Sequence, residues 1–468
     1  MEARHDTAPK RHILTRDRSY YSSLIALALP VAAQSAIAFL VTFADNLMVS
    51  SLGDTAVSGV YFASQINTLM QMFTNGIGGT ILILSAQYWG KRETSSIRRI
   101  VAVGVHLSLA VGVVATLICV LFPQRLMSVF TPDRMIQAEA AAYLRIVSVS
   151  FIFFCISQAL IFAMRSVEVT RIGMLASLTS LVCNVALNSL FIYGFRWGVR
   201  GAAAATVISI VAQTAVIMIY VLAADKRLSM RLSDFFVSDG TLRRDFIRYG
   251  LPLVAGELVW SVNMMGNSII FGRFFDETVS TAVSVANTMN TLAYITISGL
   301  ASAVGIITGK TVGAGRTELM KEYARTTQII FLGVGIFSGA LVALLNAPFV
   351  RLYSMMPGGG ISEEAALQAQ TLIRVLSVTI IGTSYQMPCL FGLVKSGGDI
   401  SFVFKNDTIF VFCVVLPSAF ISALLGAPAW WVFACLKSDQ VLKCIVAVFK
   451  IRKYNWMKNL TRPSAEQA

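Results

Sequence analysis

The chain has 468 residues, 56% of them hydrophobic and 13% charged, with a mean hydropathy of +0.70 and a net charge of +14. That composition excludes an ordinary soluble domain and describes a polytopic α-helical membrane protein. The basic residues lie between apolar runs rather than in one patch, so the charge reads as the signature of cytoplasmic loops and not as a nucleic-acid surface.

The N-terminal stretch MEARHDTAPKRHILTRDRSYY is polar and basic and lacks the short apolar core and cleavage site of a signal peptide. The first span is therefore expected to stay attached. Apolar runs predict spans at 24–51, 56–88, 100–122, 138–164, 172–195 and 201–224 in the first half. In the second half they predict spans at 250–274, 279–309, 326–345, 372–393, 401–424 and 429–449. Twelve spans of roughly 20 to 25 residues consume almost the whole chain.

The expected organisation is a tail (1–19), a six-helix bundle (20–224), a connecting loop (225–248), a second six-helix bundle (249–450) and a tail (451–468). Alternate loops differ in basic content. One side holds Lys91, Arg92, Arg98, Arg99, Arg165, Arg171, Lys310, Arg316, Lys395 and the cluster in the central connection; the other holds little beyond Arg125, Arg134, Arg196, Arg200, Arg273 and Arg351. This bias predicts cytoplasmic termini and an even number of spans.

The halves repeat. Laying Leu29-Pro30 on Leu251-Pro252 also brings Ala33 onto Ala255, Asp54 onto Asp276 and Asn184 onto Asn406, with no gap. A six-span unit begins and ends on one side, so its duplicate keeps the same orientation. Two bundles related by a pseudo-two-fold axis along the membrane normal, with a cavity between them, are expected.

Few residues could carry chemistry. Asp45 is an acid in the first span, where an unpaired carboxylate costs several kcal/mol and must face protein or water. It lies about 22 Å beyond Pro30 along a helix. Asn184 and Asn188, at i and i+4, share a helix face, and Thr206 opens the sixth span. This carboxylate, two amides and hydroxyl could hold a proton or a hard cation such as Na⁺. Equally, Asp45 could be a solvated helix-end acid, and the amides could simply tie helices together.

In the second half the register-equivalent of Asp45 is Asn267, so that acid is lost. Glu257, little more than one helical turn after Pro252, together with Asn287 and Asn290, forms a candidate substrate contact or second ionisable site, with a structural acid as the alternative. Asp439 and Lys443 read as a charge-compensated i, i+4 bridge. Gly76, Gly78 and Gly79 suggest bending or close packing.

Enzyme motifs fail. GIITGKT at 305–311 is one residue short of a phosphate-binding loop, and His5, His12 and His106 form no metal cluster. Seven cysteines sit in apolar segments without a CxxC pair. The expectation is a non-enzyme with no cofactor and no bound metal, apart from Na⁺ at Asp45 should that be the coupling ion. Any transport must then draw on an ion gradient.

These residues resemble a known family. LALPVAAQSAIAFLVTFADNLMVSSLGDTAVSG is similar to the first span of multidrug and toxic compound extrusion (MATE) transporters, and NVALNSLFIYGFRWGVRGAAAAT to their fifth-to-sixth span signature. GLPLVAGELVWSVNMMGNSIIFGR resembles the start of their second bundle, and LKSGGDIS their loop before the eleventh span. The resemblance implies two six-helix bundles in a V. It implies a secondary antiporter that exports amphipathic, cationic drugs or metabolites in exchange for H⁺ or Na⁺ by alternating access. It carries a cation or proton site onto Asp45, Asn184, Asn188 and Thr206. One departure is Asn188, where some branches carry an acid; the site here keeps a single carboxylate. The implied partners are small-molecule substrates and membrane lipids, with no nucleic acid, for a monomer in the cell membrane. A lipid-linked precursor flippase of the same superfamily would instead need a basic central cavity, and a receptor would need a signalling domain.

Overall fold

In the computed structural model, residues 14–237, 239–355 and 361–462 are described, and among them there are helices and no strands. The first half comprises α1 (Arg18–Ser50), α2 (Asp54–Gly90), α3 (Thr94–Leu121), the short α4 (Pro123–Ser128), α5 (Arg134–Val147), α6 (Ser150–Ser166), α7 (Arg171–Asn188) and α8 (Gly198–Ile219). The second comprises α9 (Gly240–Phe274), α10 (Glu277–Gly313), α11 (Thr317–Ser354), α12 (Glu363–Met387), α13 (Ile400–Ile409), α14 (Leu416–Leu424), α15 (Ala429–Leu436) and α16 (Ser438–Arg452).

Nine helical stretches among the described residues are long and apolar enough to cross a membrane, and α5 with α6 makes a tenth. The more polar α9 and the broken pair α15–α16 complete the two sets of six. The span expected to run unbroken over 138–164 is instead bent by 51° between α5 and α6. The cause is local: the Ser148 and Ser150 hydroxyls donate to the carbonyls of Arg145 and Val147, and Thr116 Oγ1 donates to the Ser148 carbonyl at 2.7 Å. Hydroxyls that compete for backbone groups in this way bend helices.

The connection expected up to residue 248 is shorter, because α9 already begins at Gly240. Asp239 caps it, its carboxylate accepting from the Thr241 and Leu242 N–H groups, which satisfies two of the orphan donors of a helix start. The apolar run begins later than the helix because the first turns are charged. Asp17 caps α1 in the same way through the Ser19 N–H. The register that lays Pro30 on Pro252 also lays Asp17 on Asp239, so the repeat extends to the caps.

A wider π turn follows α7 at Ser189–Gly194, and another follows α13 at Phe410–Val415. In the same register the first nearly coincides with the second. The two-fold also sets the cross-contacts: α1 packs on α10, and its partner α9 packs on α2.

The apolar core is arranged differently at the two ends. At the end carrying Thr15 and Arg462, here called the base, the clusters mix the halves. Phe246 of α9 packs with Ile81 and Ile97, and Tyr20, Leu24 and Ala28 of α1 pack with Ile306 and Phe331. At the opposite end, the mouth, one cluster contains only first-half residues such as Val49, Leu144 and Ala203, and another only second-half residues such as Val285, Leu376 and Phe433.

Glycines permit the close approach at the base. A Cβ on Gly313 would fall 1.9 Å from the Gln87 carbonyl oxygen, and one on Gly90 would fall 2.1 Å from that of Lys310. Gly76 and Gly78 also mark close packing, against Val254 and Phe162, whereas Gly79 faces open space. The halves are therefore joined at the base and part towards the mouth, leaving a cavity between them.

Candidate functional site: a carboxylate inside the first bundle and a charged cavity between the halves

α1 rises from the base through Pro30 and brings Asp45 towards the mouth against α7. The carboxylate points into the first bundle, partly covered. Asn188, the last residue of α7, donates through Nδ2 to Asp45 Oδ1 at 2.6 Å and to Asn184 Oδ1 at 3.1 Å. Both asparagines are fully buried. Asn188 Oδ1 and Asn184 Nδ2 have no partner among the described residues. The group is therefore tied to Asp45 by one amide and still has an unused acceptor and donor. The π turn begins at the next residue, and such turns mark functional sites more often than ordinary helix does.

Thr206 of α8 is half-buried and uses its hydroxyl on the Ala202 carbonyl at 3.0 Å. The buried Tyr143 of α5 faces both Thr206 and Asp45. Sequence reasoning singled out the first four residues but gave Tyr143 no place in the site, because an aromatic residue in an apolar span carries no signal of its own. Asp45 has no cationic partner among the described residues. Oxygen donors and one titratable carboxylate can bind a proton or a hard cation.

The second region is the space between the halves, a cavity of about 690 Å³ with an adjoining recess of about 340 Å³. Glu257 of α9 lines both, Asn290 of α10 lines the recess, and Asn287 lines neither. Asp45, Asn184 and Asn188 line neither, so the carboxylate site and the cavity are separate places.

In the recess the expected Asp439–Lys443 pair is present at 3.1 Å, and Lys443 also pairs with Asp407 of α13 at 2.8 Å. Gln440 extends the network, donating to Asp439 and accepting from Gln386 at 3.0 Å. Asp407 was missed, although the signal existed: it is an acid inside an apolar span, the same reason that marks Asp45. Lys395 and Arg165, counted in sequence as loop cations, both line the cavity instead.

GIITGKT falls within the continuous helix α10, and its Lys310 pairs with Glu168 at 2.7 Å. No group of three or more metal-ligating side chains is found among the described residues.

The MatE family model matches residues 30–190 and 252–421. Those two segments begin at Pro30 and Pro252, which the internal repeat lays on each other. A relative from Geobacillus kaustophilus, named as a probable multidrug resistance protein NorM, is 25% identical over 420 residues, 87% of this chain and 90% of its own. The multidrug resistance protein NorM of Vibrio vulnificus is 21% identical over 429 residues, 88% and 91% of the two chains.

Among solved structures, a MATE in complex with MaL6 superposes with a TM-score of 0.83 at 20% identity, covering 93% of this chain and 97% of that one. A MOP superfamily transporter of Pyrococcus furiosus, described as having a binding pocket of reverse polarity, superposes at 0.82 with 20% identity, covering 95% and 97%. At these identities the superpositions establish the fold.

Proposed function

The chain belongs to the MATE family of transporters, and we propose that it exports amphipathic small molecules from the cell in exchange for an ion bound at Asp45. The observation that carries the coupling role is the 2.6 Å bond from Asn188 to a carboxylate held inside an apolar bundle with no cationic partner among the described residues. A charge there is costly unless something compensates it, so the protonated or ion-loaded state and the empty state differ strongly in free energy.

The amide gives a simple reading of the exchange. With Asp45 ionised, Asn188 donates to it. With Asp45 protonated, the amide turns and its carbonyl accepts the proton, since the two ends of a carboxamide have similar shape and opposite hydrogen-bonding roles. With Na⁺, the carboxylate and the Asn and Thr206 oxygens are all hard donors of the kind such a cation prefers.

Separate apolar cores at the mouth, with mixed cores at the base, support movement of the halves against each other. A bound ion and a bound drug need only stabilise different arrangements for one to drive the other. The basic loops belong to the base, and the charge bias supports a cytoplasmic base in the cell membrane.

The test is efflux of the fluorescent cation rhodamine 123 from vesicles, with H⁺ and Na⁺ gradients imposed separately. Asp45→Asn should reach the membrane in normal amounts and lose gradient-driven efflux. Ion-dependent efflux by a well-expressed Asp45→Asn protein would refute the role given to this residue.

A further inference from the structure

The floor of the cavity is more basic than an exporter of simple cations requires. Among its lining residues are two cations, Arg165 and Lys395, and a single acid, Glu257. Arg165 ends the membrane-crossing part of α6 and is only 9% exposed. Its guanidinium meets no carboxylate among the described residues. Nη2 donates to the neutral Gln34 Oε1 at 2.6 Å, the Phe162 ring lies 5.0 Å from the guanidinium carbon, and Nε has no partner. The arrangement is held in place: a Cβ on Gly173 would come within 2.7 Å of Gln34 Oε1, so the glycine makes room for the amide that orients the arginine. Lys395 likewise has no ion pair among the described residues; its ammonium sits 4.9 Å over the Phe391 ring, and Glu257 lines the same cavity.

A buried charge without an opposite charge is expensive, and a neutral amide with an aromatic face compensates only part of that cost. A guanidinium whose one hydrogen-bonded side-chain partner is a neutral amide, lining the same cavity as an ammonium, is suited to the planar, two-oxygen face of a carboxylate or to a phosphate. We propose that Arg165 and Lys395 form an anion-binding subsite at the floor of the cavity. The transported amphiphile then places a negatively charged group there, with its apolar body towards the mouth and any cationic centre towards Glu257. This deepens the export reading and rests on it, but it concerns how the substrate is held and not the ion at Asp45.

The experiment uses a matched pair of dyes: rhodamine 110, which carries a free carboxylate, and rhodamine 123, its methyl ester. Binding to the purified full-length protein is read by fluorescence anisotropy without any gradient. Arg165→Gln should weaken rhodamine 110 by about tenfold or more, the size of one charge-assisted bond, and should weaken the ester distinctly less. Lys395→Gln should shift the same ratio and stands in if Arg165→Gln does not fold.

Equal weakening of both dyes, or of neither, overturns the subsite, as does a wild-type protein that binds the ester and not the acid. None of these outcomes touches Asp45-dependent efflux. A wild-type protein that binds neither dye overturns the subsite and the export reading together. Dioctanoyl phosphatidylglycerol as competitor separates two sources of the anion. Displacement that needs Arg165 assigns the subsite to a lipid phosphate, and resistance alongside Arg165-dependent dye binding assigns it to a soluble amphiphile's carboxylate.

Discussion

The two halves share one register, from the caps at Asp17 and Asp239 to the π turns, yet they handle membrane-embedded charge in opposite ways. In the first half the carboxylate of Asp45 points inward and is met by the Asn188 amide, with no cation paired to it among the described residues. In the second half the positions of Asp45 and Asn188 are filled by Asn267 and Phe410, which removes the acid and its donor, while Asn406 keeps the place of Asn184. Two of its acids, Asp407 and Asp439, lie at the recess and are clamped by Lys443, while Glu257 faces the cavity. A carboxylate met only by neutral groups is free to exchange a proton or ion, whereas one locked to an ammonium is not. One architecture therefore separates a site suited to coupling from a network suited to holding a wall of the cavity.

The comparison breaks most visibly at Lys443, which is 5% exposed at its side chain. Lys443→Ala leaves a buried and a half-buried carboxylate without their cation and should cost about 3–5 kcal/mol, the usual penalty for orphaning one side of a buried pair. Thermal unfolding in detergent reads it directly. A midpoint close to wild type would mean that the network does not hold the second bundle.

Transplanting the acid is the next test. Asn267→Asp added to Asp45→Asn should restore no gradient-driven efflux, because Phe410 offers the new carboxylate no donor. Recovery of transport would show that the halves are interchangeable and that the amides are dispensable. Removing only the donor is milder. Asn188→Ala should lower efflux by about tenfold, since hydrogen bonds to charged groups contribute about 1.5–3 kcal/mol. Unchanged efflux in a well-expressed protein would exclude the Asp45–Asn188 bond from coupling.

The smallest effect lies where the halves agree. Asp239→Ala should cost about 1 kcal/mol as the loss of a helix cap. The Asp239 carboxyl is held below its usual value, first by the Leu242 N–H and then by Arg99 and the Thr241 N–H. Because its folded value lies below its unfolded one, the cap contributes fully above the ordinary carboxylate range. That contribution disappears as pH falls through the folded value. Unfolding midpoints of wild type and Asp239→Ala should therefore converge in acid; a constant difference would place the effect elsewhere.

Much of this was legible in sequence for a physical reason: a bilayer admits few solutions. The need to satisfy backbone groups without water makes long apolar runs into helices. A charge among them is rare enough to stand out, so Asp45 and the Asp439–Lys443 pair could be read from the chain alone. The same rule applied evenly would have found Asp407. The i, i+4 spacing of Asn184 and Asn188 put both amides on one face, but which of them meets Asp45 depends on how α1 leans on α7.

The sequence by itself determined the helices, the duplication and the identity of the unusual polar residues, because these follow from local hydropathy and spacing. Only the tertiary structure decided the bend between α5 and α6, where hydroxyls compete with the ladder, and the joining of the halves at the base through glycine contacts. It also decided where two cations point. Arg165 and Lys395 stand at span ends, where a hydropathy profile reads them as loop charges. Whether such a side chain reaches water or turns into a cavity is set by helix rotation and by neighbours far off in sequence, here Gln34 of α1 for Arg165.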